Sequence, residues 1–197
     1  MLLEKYYATQ LPFEYTQVSA WMSTEGFITY CQIHKISPIV RLPLLSDGSL
    51  VKFLRALYLT DVTVNVKDQR EMIMTGEMAK FLGSEEGLKT IIRDAWLCCN
   101  ERKLVYAHSF IDTSKIGVPI HNEINKKSIP VGMVLSDYNL PLLRDQLYIS
   151  QIKSEQLAKE LDSPENIFWI RCYHLKSSDG FNAAILEIFS PYLFETR

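Results

Sequence analysis

The hydrophobic positions of this chain change period several times, and each change marks an element. Val62, Val64 and Val66 alternate with Thr63, Asn65 and Lys67, the period of two that a half-buried strand shows. A second strand over 71–75 is expected to pair beside it. Residues 88–99 form a long apolar strand, Asn100-Glu101-Arg102-Lys103 turns the chain, and residues 104–111 return as the other arm of a hairpin. Another strand is expected over 142–152. The chain closes on a second hairpin, 167–175 and 181–189, around Ser177-Ser178-Asp179-Gly180.

Helical spacing fills the intervals. Ser46-Asp47-Gly48-Ser49 is a helix start, and Leu50, Phe53, Leu54 and Leu57 follow at three- and four-residue steps. Residues 77–82 read as a short helix closed by Gly83. Short helices are also expected over 118–125, 131–136 and 154–161. Before residue 40, Trp21, Met22, Phe27, Tyr30 and Ile33 suit one or two helical turns, whereas Pro38 and Pro43 predict an extended stretch. Antiparallel hairpins with helices gathered between them predict an α+β fold: one antiparallel sheet covered by short helices and flaps.

At 197 residues, the expectation is a single domain over 1–197, with 1–45 as an N-terminal extension. A chain of this length buries roughly 70% of its unfolded surface, so it folds without a metal or disulfide. The net charge of -2 and the scattered basic residues, with Lys126-Lys127 the nearest to a cluster, argue against a nucleic-acid partner. Cys31, Cys98, Cys99 and Cys172 show neither CxxC nor a ligand spacing with histidine, so they read as apolar fillers in a reducing compartment. Adjacent Cys98 and Cys99 would face opposite sides of a strand. No apolar run reaches the roughly 20 residues of a membrane span. The opening residues 1–7 carry no targeting pattern, which predicts a cytoplasmic protein. Tyr6 and Tyr7 are read as packing side chains, and the closing hairpin, with no exposed apolar stripe, as that of a monomer.

Two charges have neighbours that do not suit them. Glu187 lies in Ala183-Ala184-Ile185-Leu186-Glu187-Ile188-Phe189, with Ile185 and Phe189 on its face of a strand. Arg93 lies in Ile91-Ile92-Arg93-Asp94-Ala95-Trp96-Leu97, with Ile91 and Ala95 on its face. A lone buried charge costs several kcal/mol, so each needs a partner, a ligand or solvent. Three readings follow: both sit on the solvated face of an edge strand, they pair with each other, or they line a pocket. In a pocket, Arg93 would grip a carboxylate with its planar fork, and a desolvated Glu187 could exchange a proton near neutrality. His34, His108, His121 and His174 are isolated and show no metal-binding spacing; His108 falls on a strand beside the proposed pocket and reads as structural. Neither a G-x-S-x-G elbow nor a glycine-rich phosphate loop is present.

Four segments resemble the chorismate lyase family, over Gly48 to Leu193. They are Asp47-Gly48-Ser49-Leu50-Val51, Ile92-Arg93-Asp94-Ala95-Trp96-Leu97-Cys98, Ile129-Pro130-Val131-Gly132 and Leu186-Glu187-Ile188-Phe189-Ser190-Pro191. The resemblance implies a buried pocket under helical flaps, with no metal and no organic cofactor. It implies conversion of chorismate to 4-hydroxybenzoate and pyruvate. Arg93 would hold the ring carboxylate, Glu187 would address the 4-hydroxyl end, and Leu50 and Val131 would be walls. Val131 stands where enteric enzymes carry Leu, and the pattern is closer to the divergent branch of archaea, mycobacteria, cyanobacteria and plastids. That leaves open a plastid stroma as the compartment and quinone biosynthesis as one use of the product. The same fold serves as the effector domain of GntR-type regulators, so a non-catalytic binder of aromatic carboxylates is the rival. The segment before Leu50 is expected to be too short and too weakly basic for a winged helix.

Overall fold

Strand alternation decides the layers of this molecule. A computed structural model describes residues 11–195. Its strands are β1 (Thr16–Gln17), β2 (Met22–Ser23), β3 (Thr63–Ile73), β4 (Lys89–Cys99), β5 (Arg102–Asp112), β6 (Leu142–Lys153), β7 (Ile167–Ser177) and β8 (Asn182–Phe189). They form one antiparallel sheet in the order β1-β6-β7-β8-β5-β4-β3, with β2 also on β6. The helices are α1 (Thr24–His34), α2 (Pro38–Leu45), α3 (Leu50–Tyr58), α4 (Gly76–Leu82), α5 (Val118–Asn125), α6 (Val131–Asp137) and α7 (Glu155–Leu161). The expected α+β sheet with helical cover is the observed fold.

Every residue of β4 after Lys89 is buried, on both faces. Ile92, Trp96 and Cys98 join Tyr106, Phe110, Phe168 and Leu186 in one core, closed by α4 and α7. Leu97 and Cys99 look the other way, into a core with Phe27, Leu44, Leu54 and Phe189 under α1, α2 and α3. Further along this second face, Ile91, Ile111, Tyr173 and Ile185 pack under α5 and α6. Cys98 and Cys99 thus serve different cores. Burial pushes both thiols up, which keeps them protonated and inert.

Three expectations are corrected. Residues 63–73 are one strand, not two, because a bulge between Val66 and Asp68 shifts the register and breaks the alternation there. The stretch at Pro38 and Pro43 is helical, not extended. Pro38 occupies the first turn, where its missing N–H would be unpaired anyway, and Pro43 sits in a helix only eight residues long. Trp21 and Met22 fall outside α1, which starts where Ser23 Oγ accepts the Gly26 N–H. The first hairpin is tighter than expected: Asn100 and Glu101 both take positive φ, 48° and 64°, the two-residue turn that matches strand twist. Tyr6 and Tyr7 lie outside the described residues.

One buried group makes the fold sensitive to acid. His174 is 5% exposed, and neither ring nitrogen has a hydrogen-bond partner among the described residues. Burial, aided by Lys176 and opposed by Asp145, lowers its pKa below the ordinary 6.5. The unfolded chain therefore binds the proton first as pH falls. Stability is full above about pH 6.5 and drops below it. The melting temperature should fall between about pH 7 and pH 5, and His174→Leu should flatten that fall; an unchanged slope in the variant would refute this assignment.

Candidate functional site

The face of the sheet beneath α3, α5 and α6 carries charges that the opposite face lacks in this arrangement. Register places them. Ala107, Glu187 and Arg171 lie opposite one another on β5, β8 and β7, and the neighbouring row runs Arg93, Ser109, Ile185 and Tyr173 from β4 to β7. Arg93 and Glu187 stand on strands two steps apart, about 10 Å at the usual strand spacing. Both strands are interior to the sheet. Two of the three readings of these residues therefore fall away: neither lies on an edge strand, and they do not pair with each other.

Glu187 pairs with Arg171. The Arg171 Nε donates to Glu187 Oε2 at 2.5 Å, and the Tyr173 hydroxyl donates to Oε1 at 3.1 Å. Arg171 is completely buried. Its Nη1 also reaches the carbonyls of Pro43 (2.5 Å), Leu44 (3.4 Å) and Ser46 (2.9 Å), where α2 ends. A cation here meets the unpaired carbonyls of a helix C-terminus, so one side chain answers both a carboxylate and a helix end. Burial and the adjacent Glu187 charge push the Tyr173 hydroxyl well above its ordinary range, so it is a donor at any physiological pH.

Arg93 is only 2% exposed and has carbonyl partners alone: Ile124 O at 3.5 Å and Ile129 O at 2.9 Å. Ile124 is in the last turn of α5 and Ile129 in the α5–α6 connection. No carboxylate among the described residues pairs with it. Desolvation pulls its pKa down to about 10, which still leaves a cation at neutral pH. On the far side, Arg144 of β6 donates from Nη1 to Asp47 O at 2.5 Å, and its guanidinium carbon lies 5.4 Å from the Tyr173 ring centroid.

Between these groups is a cavity of about 70 Å³. That is roughly half the 150 Å³ of an apolar cavity that takes up benzene, so an aromatic acid enters only if the flaps give way. Leu50, Val131, Gly132, Ile185 and Ser109 wall it, and Arg93, Arg144, Tyr173 and Glu187 supply its polar groups. Leu50 opens α3 and Val131 opens α6, so two helix N-termini converge on the space. A larger cleft of about 900 Å³, against Phe13, Trp21 and Ile152, has the solvated charges Glu14, Lys153 and Glu155 and the half-buried Tyr15. The smaller cavity is the one with unmet charge.

The structure thus brings Leu50, Arg93, Val131 and Glu187 to one cavity. His108 is not there: it points to the other face, where Asp94 Oδ1 accepts from its Nδ1 side at 2.8 Å and from the Tyr106 hydroxyl at 2.6 Å. Sequence reasoning missed Arg171, Tyr173 and Arg144. Arg171 carried a usable signal, as a lone charge in Phe168-Trp169-Ile170-Arg171-Cys172-Tyr173. Among the described residues no cluster of His, Cys, Asp and Glu could hold a metal ion, and no helix is long and apolar enough to cross a membrane.

An antiparallel sheet with helical flaps over a buried cationic cavity defines a small-molecule-binding α+β class. Solved structures share the fold: the effector domain of PhnF from Mycobacterium smegmatis (TM-score 0.61, 10% identity, 74% of this chain and 90% of that one). The C-terminal domain of the histidine utilization repressor from Pseudomonas syringae (0.53, 14%, 69% and 96%) and a GntR-family transcriptional regulator from Bacillus cereus (0.51, 13%, 69% and 96%) do so too. No curated protein matches the sequence. The chain belongs to the Rv2949c-like chorismate pyruvate-lyase family, whose model matches residues 44–197.

The buried pair gives a stability test. Removing one partner of such a pair leaves an uncompensated charge and costs about 3–5 kcal/mol, whereas replacing both by apolar groups is often near neutral. Arg171→Met alone should lower urea stability by about that amount, and adding Glu187→Leu should recover most of it. A double variant no more stable than the single would show that the helix-end carbonyls, not Glu187, are what Arg171 is needed for.

Proposed function

We propose that the protein is a chorismate lyase, releasing pyruvate from chorismate to leave 4-hydroxybenzoate. The observation that carries this reading is Arg93: a guanidinium almost wholly buried, without an acidic partner among the described residues, at the wall of a partly enclosed cavity that also holds one anchored carboxylate. Such a cation supports a carboxylate ligand, and the family supplies which one. The ring carboxylate meets Arg93, and the 4-hydroxyl meets Glu187.

Glu187 is the sole carboxylate among the cavity-lining residues, and no histidine is among them. Each of its oxygens already accepts one hydrogen bond and keeps a lone pair for a substrate hydroxyl. Its role in this reading is to accept the 4-hydroxyl and fix the ring. The C3–oxygen bond then breaks with its electrons going to the enolpyruvyl oxygen, the C4 hydrogen leaves, and the ring becomes aromatic. The hydrogen passes to the methylene of the departing group, which becomes the methyl of pyruvate, so atoms balance without an added reagent. Leu50 and Val131 exclude water and hold the two ends in register, so positioning in a low-dielectric space carries the rate.

Purified protein mixed with chorismate should give 4-hydroxybenzoate and pyruvate in equal amounts, read by chromatography. Arg93→Ala should lower kcat/KM by about a hundredfold or more. With deuterium at C4, the label should appear in the pyruvate methyl; loss to water would instead make Glu187 the proton carrier. The GntR-type neighbours favour a second reading, a binder without turnover. A thermal shift with 4-hydroxybenzoate but no products would select it.

A further inference from the structure

We infer that Arg144 anchors a second carboxylate, so that the cavity selects a dicarboxylate over a monocarboxylate of the same ring size. This rests on the lyase reading for its substrate, which carries one carboxylate on the ring and one on the enolpyruvyl group. The charges of the cavity carry the inference. Arg171 neutralises Glu187, which leaves Arg93 and Arg144 as two cations without acidic partners among the described residues. Arg93 is almost wholly buried and Arg144 half-buried, and two cations without counter-charges around one small cavity suit a dianion; a monoanion leaves one of them unmatched.

Geometry places them at opposite ends. β6 and β4 are four strand steps apart, about 19 Å at the backbone, and the cavity is lined from both. Both side chains line the cavity between those strands, one for either acid of a dicarboxylate. Arg144 is aimed there by its position. It pairs in register with Leu175, on the same face as Tyr173, just before a bulge between Asp145 and Tyr148. Its neighbour Asp145 points elsewhere, taking the Gln146 N–H and pairing with Lys176. The Arg144 guanidinium lines the cavity, and its Nε is buried with no hydrogen-bond partner among the described residues. A buried N–H without a partner beside a cavity is a donor held for a ligand. Loss of the second carboxylate on turnover would then weaken the hold on the product and aid its release.

The test is calorimetric binding of two probes: 3-(carboxymethoxy)benzoate, a dicarboxylate that cannot be turned over, and 4-hydroxybenzoate. The wild-type protein should bind the first more tightly. Arg144→Gln should weaken the dicarboxylate about tenfold or more but 4-hydroxybenzoate by less than about threefold, while Arg93→Gln weakens both. Arg144→Lys, which keeps the charge, should restore most of the dicarboxylate affinity and guards against a folding defect. Equal loss for the two probes in Arg144→Gln, no loss for either, or no wild-type preference would overturn the anchor. Turnover of chorismate is scored separately: wild-type protein with the double-anion preference but no products keeps the anchor and removes the lyase.

Discussion

The site is organised around a buried pair of opposite charges in the middle of a sheet. Arg171 and Glu187 face each other across β7 and β8, and neither could be there alone without a cost of several kcal/mol. The pair is tolerated because its polar atoms are answered except for Arg171 Nη2, which has no partner among the described residues. Tyr173 takes one carboxylate oxygen, and the end of α2 takes a guanidinium nitrogen. That second link has a consequence for architecture. It fixes residues 43–46 against the sheet, and the chain then runs through Asp47, held by Arg144, into the capped start of α3 at Leu50. An ion pair inside the sheet therefore sets where a wall of the cavity stands.

The three arginines of this face differ in what they lack. Arg171 has a carboxylate and three carbonyls; Arg93 has carbonyls only, and Arg144 a carbonyl and the Tyr173 side chain. A carbonyl offers a partial charge, which orients a guanidinium without cancelling it. Such side chains are held in place and remain electrostatically unmet, the condition for binding an anion without reorganisation. Low polarity around them, from Leu50, Val131 and Ile185, strengthens any such contact.

How much of this could be read from the chain depended on whether a residue's neighbours contradicted it. The β4–β5 hairpin was legible because two long apolar runs flank a short polar turn. Arg93 and Glu187 were legible because each interrupts an aliphatic run. Arg171 interrupts a run of the same kind, but its face-mates Trp169 and Tyr173 have polar edges, so the strand looked amphipathic and the charge unremarkable. Arg144 gave no signal: beside Asp145 it resembles a solvated pair, and only the bulge at Asp145–Tyr148 and the register with Leu175 determine where it faces. The single strand β3 was hidden by its bulge, and α2 by two prolines, of which Pro38 sits in the first turn and Pro43 inside a helix of only eight residues. The partner of Glu187 was a matter of register across strands far apart in sequence, which local patterns do not encode.

A fold shared with regulator domains need not share their use, and the reason lies in which part of the cavity is made by what. The sheet supplies the fixed charges, whereas the contacts on Arg93 come from the end of α5 and the connection to α6, which Gln69 and Lys127 tie to the edge strand. A ligand that takes hold of Arg93 thus acts on a flap as well as on a charge. In a regulator, displacement of such a flap could be the output; in an enzyme, its closure over the reacting bond is what excludes water. The difference then comes down to whether the far end of the ligand meets a group that fixes a breakable bond. In the lyase reading Glu187, held by Arg171 and Tyr173 at the centre of the sheet, is that group, and its rigidity suits orienting a hydroxyl more than signalling that a ligand has arrived.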